Sequence, residues 1–422
     1  MKYVSTRGGA PPLDVSTAIQ TSLAPDGGLY VPEVFPQFEA ADFDKLEGWG
    51  EIGRKVLAPF FEGDGLESSL DGICNAAFNF PIELRELPRE TAVLELFHGP
   101  TAAFKDVGAR FLAACVTELP AHRTVLVATS GDTGGAVAAA FHGNPKADVI
   151  VLFPDGKVSA RQQAQLTCWG DNVRAFAVRG DFDDCQRMAK AAFSDPKRQS
   201  RNLLSANSIN LGRLLPQTVY YAAASLWYLR RYGTQAGFVI PTGNLGNAVA
   251  CFWARKMGFP IREIALAANA NHAVPDYFSS GDWVPQATIQ TLATAMDVGN
   301  PSNIERLRHL YPDMFELRNS ARAFSVSDCE ISQTIAEGPT KWGQVWCPHT
   351  AAGVFVREQL NSPHWIVVAT AHPAKFESIV EPLIGNTLEV PPQLEALLDK
   401  PSHFSVISPD LDELAAKLDE VN

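Results

Sequence analysis

Paired cysteines are missing from this sequence. Its seven cysteines are an odd number, lie far apart and form no C-x-x-C pair. This pattern fits neither the disulfide framework of a small secreted protein nor the usual spacing of zinc ligands. We therefore expect reduced thiols, a cytoplasmic protein and no metal site.

Basic residues are outnumbered by acidic ones. The chain has 35 lysines and arginines against 47 aspartates and glutamates, which gives a formal net charge of −12. Nucleic-acid binding normally needs a basic face that displaces counterions from the phosphates, so we expect no nucleic-acid partner. Any anionic ligand must then be held by a few local groups.

Long apolar runs are absent as well. No stretch of the sequence reaches the length that a membrane span requires, and the start, "MKYVSTRGGAPP", has no apolar signal-peptide core. The sequence therefore predicts neither a membrane partner nor export. It gives no indication of the oligomeric state.

What the sequence does contain is an alternation of short apolar runs with longer amphipathic segments. Between Thr91 and Phe376, runs such as "RTVLVATS", "DVIVLFPDG" and "WIVVAT" are each followed by a helical pattern or a loop. This alternation predicts parallel sheets with crossover helices. We expect an α/β protein whose parallel-rich sheets are flanked by helices in two α/β domains, residues 91–230 and 231–422. Residues 1–90 are expected to form an N-terminal, mostly helical cap, and "SVISPDLDELAAKLDEVN" a terminal helix.

The loops after the predicted strands carry unusual residues, and ligands of open parallel sheets bind beyond the carboxyl ends of the strands. "TGNLGN", residues 242–247, places two glycines before a helix, where backbone amides and the helix dipole favour a phosphate group. The glycines are expected to allow close approach of the phosphate or a positive φ. The loop matches neither a nucleotide P-loop nor G-x-G-x-x-G.

Three further segments suggest polar contacts. "TSGDTGGA", residues 129–136, is either a polar ligand loop or an ordinary strand-to-helix turn with a capping side chain. "ATAHPAKF" leaves Thr370 at a strand end, where an ordinary cap is again the alternative. "NSINLGRLLPQ" spaces Asn207, Asn210, Arg213 and Gln217 so that they share one face of a helix or tight turn.

Lys105, in "HGPTAAFKD", indicates which ligand these loops could bind together. A lone lysine is usually a solvated surface residue, but Phe104 and the apolar helix that follows predict a desolvated amine that can attack an aldehyde. Pyridoxal 5'-phosphate requires a lysine for a covalent link, a loop that binds its phosphate, here "TGNLGN", and a hydroxyl that bonds its ring nitrogen. We therefore expect that cofactor.

Several motifs together resemble the threonine synthase family of the shorter microbial type. They are "STRG", "LAPDGGLYVP", "HGPTAAFKD", "ATSGDTGGA", "SINLGRLLPQ", "PTGNLGN", "AMDVGNPSN" and "ATAHPAKF", in this order from Lys2 to about Phe376. The resemblance implies a fold-type II pyridoxal-phosphate enzyme, a lyase that converts O-phospho-L-homoserine and water into L-threonine and phosphate. This is the last step of threonine biosynthesis.

The resemblance also assigns site residues. Lys105 is implied as the catalytic residue that binds the cofactor and moves protons, and Asp132 as a neighbour of the cofactor's 3'-oxygen. The other implied cofactor contacts are Phe104, Ser130, Thr242, Gly243, Asn244, Leu245, Gly246, Asn247 and Thr370. The implied substrate contacts are Thr101, Ser130, Thr133, Ser208, Asn210, Arg213 and Gln217. A related dehydratase or phospho-amino-acid lyase, and a binding protein without activity, remain alternatives.

Overall fold

Two twisted sheets with helices on both faces make up most of the protein. The computed structural model describes residues 1–129, 131–195 and 202–419. Its strands are β1 (Tyr3–Ser5), β2 (Tyr30–Pro32), β3 (Glu83–Leu87), β4 (Thr91–Glu95), β5 (Arg123–Ala128), β6 (Ala147–Pro154), β7 (Val173–Val178), β8 (Leu203–Ser205), β9 (Ala236–Pro241), β10 (Ile261–Ala268), β11 (Ala321–Ser325), β12 (Trp365–Ala369) and β13 (Ser405–Ile407).

The helices connect these strands or cover them. They are α1 (Val15–Thr21), α2 (Trp49–Phe61), α3 (Leu70–Ala77), α4 (Lys105–Glu118), α5 (Asp132–Phe141), α6 (Ala160–Thr167), α7 (Phe182–Ser194), α8 (Leu211–Leu214), α9 (Gln217–Tyr232), α10 (Gly246–Lys256), α11 (Ala273–Ser280), α12 (Ile304–Leu310), α13 (Met314–Ser320), α14 (Asp328–Lys341), α15 (Pro348–Gln359), α16 (Glu377–Ile384), α17 (Pro392–Leu398) and α18 (Leu411–Asp419).

The larger sheet has six strands in the order β11-β10-β9-β12-β4-β3. All neighbours are parallel except the hairpin of β3 and β4, which is antiparallel. Every residue of β12 is buried. Ile366 and Val368 pack into one hydrophobic cluster and Val367 into another, so both faces of the sheet are covered. This is why its strands are continuous apolar runs in the sequence.

The smaller sheet has five parallel strands in the order β13-β7-β6-β5-β8. It is also covered on both faces, because Leu126 and Val127 of β5 belong to different hydrophobic clusters. The predicted parallel-rich α/β architecture is therefore confirmed.

The predicted domain limits remain a proposal, because each sheet contains strands from more than one of the predicted domains. β3 and β4 belong to the larger sheet, which otherwise uses strands after residue 235. Conversely, β13 at 405–407 pairs with β7 and extends the smaller sheet. The N-terminal region contains three helices and the β1–β2 ladder, and its buried Ile52 and Phe60 belong to the same cluster as Phe238 of β9.

The tail forms the predicted helix, α18, whose Leu414 is buried. The helix prediction is wrong for "SVI", residues 405–407, which form the strand β13 because a sheet edge beside β7 is available to them; residues 420–422 of the predicted helix lie outside the described residues. Within the described residues, no helix is both long and apolar enough to span a membrane.

Candidate active site

One cavity lies where the carboxyl ends of the two sheets face each other. Its volume is about 200 Å³, far more than one water molecule needs. The lining includes most of the predicted contacts: Phe104, Lys105, Asp132, Thr133, Ser208, Arg213, Gln217, Thr242, Gly243, Asn244, Leu245, Gly246, Asn247 and Thr370. Residues that come from separate loops of the sequence thus share one wall.

Two of the predicted contacts that the structure describes, Thr101 and Asn210, do not line the cavity. Ser130 is outside the described residues. Thr101 is fully buried, and its hydroxyl and N–H both donate to the Asp106 carboxylate, at 2.7 and 2.9 Å. Asn210 caps α8, and its amide nitrogen donates to the carbonyls of Ile19 and Ser205 and to Ser22 Oγ, so the polar atoms of its side chain are already satisfied by other residues. The predicted shared face therefore holds for Asn207, Arg213 and Gln217 but not for Asn210.

Lys105 is presented by a loop that is anchored to the end of β12. Ala102 adopts a left-handed conformation with φ 53°, and its carbonyl accepts a bond of 3.0 Å from the His372 N–H. The Phe104 N–H donates to the Thr370 carbonyl at 2.8 Å, and α4 begins at the next residue. Burial lowers the pKa of Lys105 to about 8, and the charges of Lys375 and Arg213 add to this against the attraction of Asp132. A large part of this amine is therefore neutral near pH 8.

Asp132 starts α5, and its carboxylate is paired with a different lysine. Lys375 Nζ lies 2.9 Å from Asp132 Oδ1, and both side chains are buried. Gln162 Nε2 donates to the same oxygen at 3.3 Å. Burial alone raises the pKa of Asp132, but the charges of Lys375 and Lys105 lower it well below its usual range. Asp132 is thus an ionised carboxylate with a permanent partner.

The loop 242–247 opens α10 with unpartnered backbone amides. The N–H groups of residues 243–247 donate to no other described residue. Leu245, not a glycine, has the left-handed conformation, with φ 60°. The expectation of a positive φ at Gly243 or Gly246 is therefore wrong. Gly243 is required instead because an added Cβ would lie 2.6 Å from the Met296 Cα.

The polar side chains of this loop shape it rather than point outward. Thr242 Oγ1 donates to Asn247 Oδ1 at 2.7 Å, and Asn247 Nδ2 donates to the Pro241 carbonyl at 2.9 Å. Asn244 Nδ2 donates to Ser208 Oγ at 2.6 Å. The loop can therefore offer an anion its backbone amides, which at a helix N-terminus form a phosphate site.

Two further buried groups line the cavity, Thr370 and His349. Thr370 Oγ1 is buried and has no hydrogen-bond partner among the described residues. His349 Nε2 accepts a bond of 3.0 Å from the Ala295 N–H, which places the ring proton on Nδ1 when the imidazole is neutral. Burial and the nearby Lys105 and Lys375 lower the pKa of His349 to about 4, in spite of Asp132. The imidazole is therefore neutral at physiological pH.

Arg213 places a cation on the wall near Ser208. Its guanidinium is buried, bonds the Ala206 carbonyl, and has an Nε without a partner; within the described ranges it forms no ion pair. Burial lowers the pKa of Arg213 to about 10, against the attraction of Asp106, so the group is still charged at neutral pH. A buried cation of this kind is costly unless an anion binds next to it.

These observations fit pyridoxal phosphate. An amine with a lowered pKa, five open backbone amides at a helix N-terminus and an orphaned buried hydroxyl border the same cavity. Their chemistry matches an aldehyde, a phosphate and a ring nitrogen.

Comparison with known families decides between the alternatives. Residues 81–370 match the family model "Pyridoxal-phosphate dependent enzyme", residues 2–78 match "Threonine synthase N terminus", and residues 350–417 match "Threonine synthase, C-terminal". The threonine synthase of Haemophilus influenzae is 38% identical over 96% of this chain and 95% of its own length. The chain belongs to the threonine synthase family.

Solved structures agree with this assignment to the threonine synthase family. The crystal structure of the Escherichia coli enzyme matches with a TM-score of 0.92 at 33% identity and covers 100% of both chains. The pyridoxal-phosphate-bound threonine synthase of Brucella melitensis matches with a TM-score of 0.91 at 34% identity and covers 100% of this chain and 99% of its own. The chain is therefore a fold-type II, pyridoxal-phosphate-dependent lyase.

Sequence reasoning missed several residues of the site. Lys375 lies inside the quoted "ATAHPAKF" and Asn303 ends "AMDVGNPSN", so both were visible but received no role. Asn303 Nδ2 donates to Ser208 Oγ at 3.1 Å and to the Asn244 carbonyl at 3.0 Å. Arg306 Nη1 donates a hydrogen bond to Asn303 Oδ1 at 2.7 Å, which fixes the orientation of the Asn303 amide. His349 had no local signal, because only the fold brings α15 to the cavity.

One group outside the cavity has the side chains of a metal site. Ligand atoms of Glu83, Glu95 and His98 lie within 4.8 Å of one another. Arg85 lies 3.5 Å from Glu95, and His98 Nε2 lies 2.9 Å from the same carboxylate. The buried carboxylate therefore already has cationic and hydrogen-bonding neighbours, and His98 belongs to this cluster and does not line the cavity.

Proposed function

We propose that this protein converts O-phospho-L-homoserine and water into L-threonine and phosphate, the last step of threonine biosynthesis. The observation that carries the proposal is the buried guanidinium of Arg213, which lines the same cavity as Lys105 and has no ion-pair partner in the described part of the chain. It supplies a second anion site besides the backbone amides of residues 243–247. A substrate that carries its own phosphate needs such a site in addition to the one for the cofactor.

Different residues of the cavity would bind different parts of the cofactor. Lys105 would bind it covalently, the amides of residues 243–247 would hold its phosphate, and the Thr370 hydroxyl would bond the ring nitrogen. When bound, the cofactor supplies an electron sink for the carbanions of the reaction. A neutral hydroxyl at the ring nitrogen, where a carboxylate would favour protonation, leaves that nitrogen mostly unprotonated. Asp132, already paired with Lys375, would lie beside the cofactor's 3'-oxygen.

Lys105 would also move the protons. With cofactor and substrate bound, its amine would lie beside the substrate Cα. With a pKa of about 8 it takes a proton near neutral pH and returns it, as a general base and acid must. It would remove a proton from Cα and another from Cβ, and phosphate would leave Cγ. It would then return one proton to Cγ and, after the hydroxide of water adds at Cβ, one to Cα, while the second proton of the water goes to the released phosphate.

Ser208 and Arg213 would hold the leaving phosphate. Ser208 Oγ accepts from Asn244 Nδ2 and Asn303 Nδ2, which uses both acceptor positions and leaves its hydroxyl proton to donate. Arg213 would offer its guanidinium in a charge-assisted bond. Gln217 and Thr133 complete this side of the wall.

The test is a product assay on the purified protein loaded with pyridoxal phosphate. We expect equal amounts of phosphate and L-threonine from O-phospho-L-homoserine, and a visible cofactor absorbance. Borohydride reduction followed by peptide mapping should place the cofactor on Lys105, and Lys105→Ala should lose both the absorbance and turnover. Release of phosphate with a keto acid instead of threonine would favour a lyase of the dehydratase kind, and a label on another lysine would refute the assignment of Lys105.

The cellular location is part of the same proposal. All seven cysteines are free thiols, six of them buried, which is typical of a reducing compartment. We infer a cytoplasmic enzyme with a small-molecule substrate. Fractionation of cells with an antibody to the protein tests the location.

A further inference from the structure

Lys375 is a fully buried lysine that does not line the cavity. It lies in the short 3-10 turn Pro373–Phe376 that follows β12. Its ammonium group contacts Asp132 Oδ1 at 2.9 Å and donates to the Thr101 carbonyl at 2.7 Å. Burying an ammonium group is costly, so its partners indicate what it stabilises.

These two partners follow strands of different sheets. Asp132 follows β5 of the smaller sheet, and Thr101 lies in the loop after β4 of the larger sheet. The Gln165 side chain of α6 donates to the same Thr101 carbonyl at 3.2 Å. A single ammonium therefore connects the loop that presents Lys105 to the first residue of α5.

Lys105 lies beside this pair without joining it. Among the described residues, its Nζ has no hydrogen-bond or ion-pair partner. Asp132 is the one carboxylate that acts on its charge; Lys375 and Arg213 act with the opposite sign. The charges of Lys375, Lys105 and His349 in turn lower the pKa of the buried Asp132 carboxylate. Without Lys375, a buried Asp132 carboxylate would have Lys105 as its nearest remaining lysine partner.

We propose that Lys375 is a positioning residue that keeps the Asp132 carboxylate occupied, so that the amine of Lys105 stays unpaired and free to bind the cofactor and to move protons. The inference rests on the proposed function, because it concerns the lysine assigned to the cofactor. An ion pair between Lys105 and Asp132 would hold the amine protonated, and a protonated amine cannot attack an aldehyde.

The test measures the amine of Lys105 in the full-length chain freed of cofactor. Trace labelling with acetic anhydride across the pH range, followed by peptide mass spectrometry, reports the reactive fraction of each lysine. In Lys375→Met, we expect the half-point of Lys105 labelling to move up by about one pH unit or more, which at pH 7 is a roughly tenfold loss of labelling. Exposed Lys190, at the mouth of the cavity, should label equally in both proteins and serves as the internal control.

Removing the acid should reverse the effect. Lys375→Met combined with Asp132→Asn should restore Lys105 labelling to the original level or above it, and Lys375→Arg, which keeps the charge, should leave the profile close to the original. A merely structural Lys375 predicts no rescue by Asp132→Asn. An unchanged Lys105 profile in Lys375→Met, or a double variant that behaves like Lys375→Met, overturns the proposal.

If the Lys375→Met chain does not fold, a second variant tests the same proposal. Asp132→Asn alone removes the one carboxylate that favours the charged amine, so Lys105 labelling at pH 7 should rise. No change in that variant also overturns the proposal. The peptide map of the borohydride-reduced holoenzyme keeps the two claims separate, because it can reject Lys105 as the cofactor lysine while the labelling profile still reports on the pair.

Discussion

Replacement of Arg213 by methionine should separate binding of the substrate phosphate from stability of the fold. The guanidinium is buried, has an open Nε and forms no ion pair within residues 1–129, 131–195 and 202–419. Replacing buried charges by apolar side chains of similar volume is often neutral or stabilising. We therefore expect the cofactor-free Arg213→Met protein to melt at the same temperature as the original or above it.

Catalysis should suffer in the same variant. A hydrogen bond to a charged group contributes about 1.5–3 kcal/mol, which corresponds to a loss of roughly tenfold to 150-fold in kcat/KM for O-phospho-L-homoserine. The absorbance of the bound cofactor should not change, because its phosphate is assigned to the amides of residues 243–247. Steady-state kinetics and a cofactor titration on one preparation measure both effects.

Arg306→Met is the matched control. Arg306 is equally buried, but it donates to the carbonyls of Tyr30, Ser208 and Ile209 and to Asn303 Oδ1 and does not line the cavity. Its loss leaves several acceptors unpaired and should cost on the order of 3 kcal/mol of unfolding free energy or more. The reasoning fails if Arg213→Met keeps its kcat/KM, strips the cofactor, or destabilises the free protein as much as Arg306→Met does.

Three other replacements have distinct outcomes. Thr370→Val removes an unsatisfied buried hydroxyl, so it should stabilise the cofactor-free protein by about 1 kcal/mol while it weakens cofactor binding; denaturant melts with and without cofactor test this, and a destabilised free protein would contradict it. Gly243→Ala places a Cβ 2.6 Å from the Met296 backbone and should lower the melting temperature even without cofactor, whereas a loss seen only with cofactor would support a role in phosphate approach alone. His349, whose pKa burial lowers to about 4, binds a proton in the unfolded chain before it does in the fold, so stability should fall as the pH falls from 6.5 to 4. This loss is on the order of 3 kcal/mol, and it should be missing from the matching curve of His349→Gln.

The strands that carry the site were predictable because they are buried on both faces. "RTVLVATS" and "WIVVAT" contain β5 and β12, and "GFVIPTG" contains all of β9 except its first residue. A short run that is apolar throughout is typical of a strand in the middle of a parallel sheet. The loops after them were identifiable because ligands of such sheets bind at the carboxyl ends of the strands. Lys105 and Thr370 could therefore be placed from local sequence alone.

Other parts of the structure have no local signal. The strands β8 and β13 have three residues each and are strands only because a sheet edge is available to them. The side chain of Asn210 turns toward Ile19 and Ser22, contacts that span nearly two hundred residues of sequence. Lys375, the partner of Asp132, is even more distant in the chain. Spacing predicts which residues share a face, but it does not predict which neighbour satisfies each polar group.

The division of charge in the cavity explains how an acidic protein can bind two phosphates and distinguish them. The segment 242–247 contains no lysine or arginine, so it can bind an anion only through backbone amides and the helix dipole. Lys375 and Asp132 neutralise each other, and Lys105 has a pKa of about 8. Arg213 is then the one buried cation of the described lining that keeps a full charge without an ionic partner. A cofactor that binds covalently needs no guanidinium for its phosphate, whereas on our proposal a substrate that must arrive, react and leave as free phosphate would gain a charge-assisted contact from Arg213.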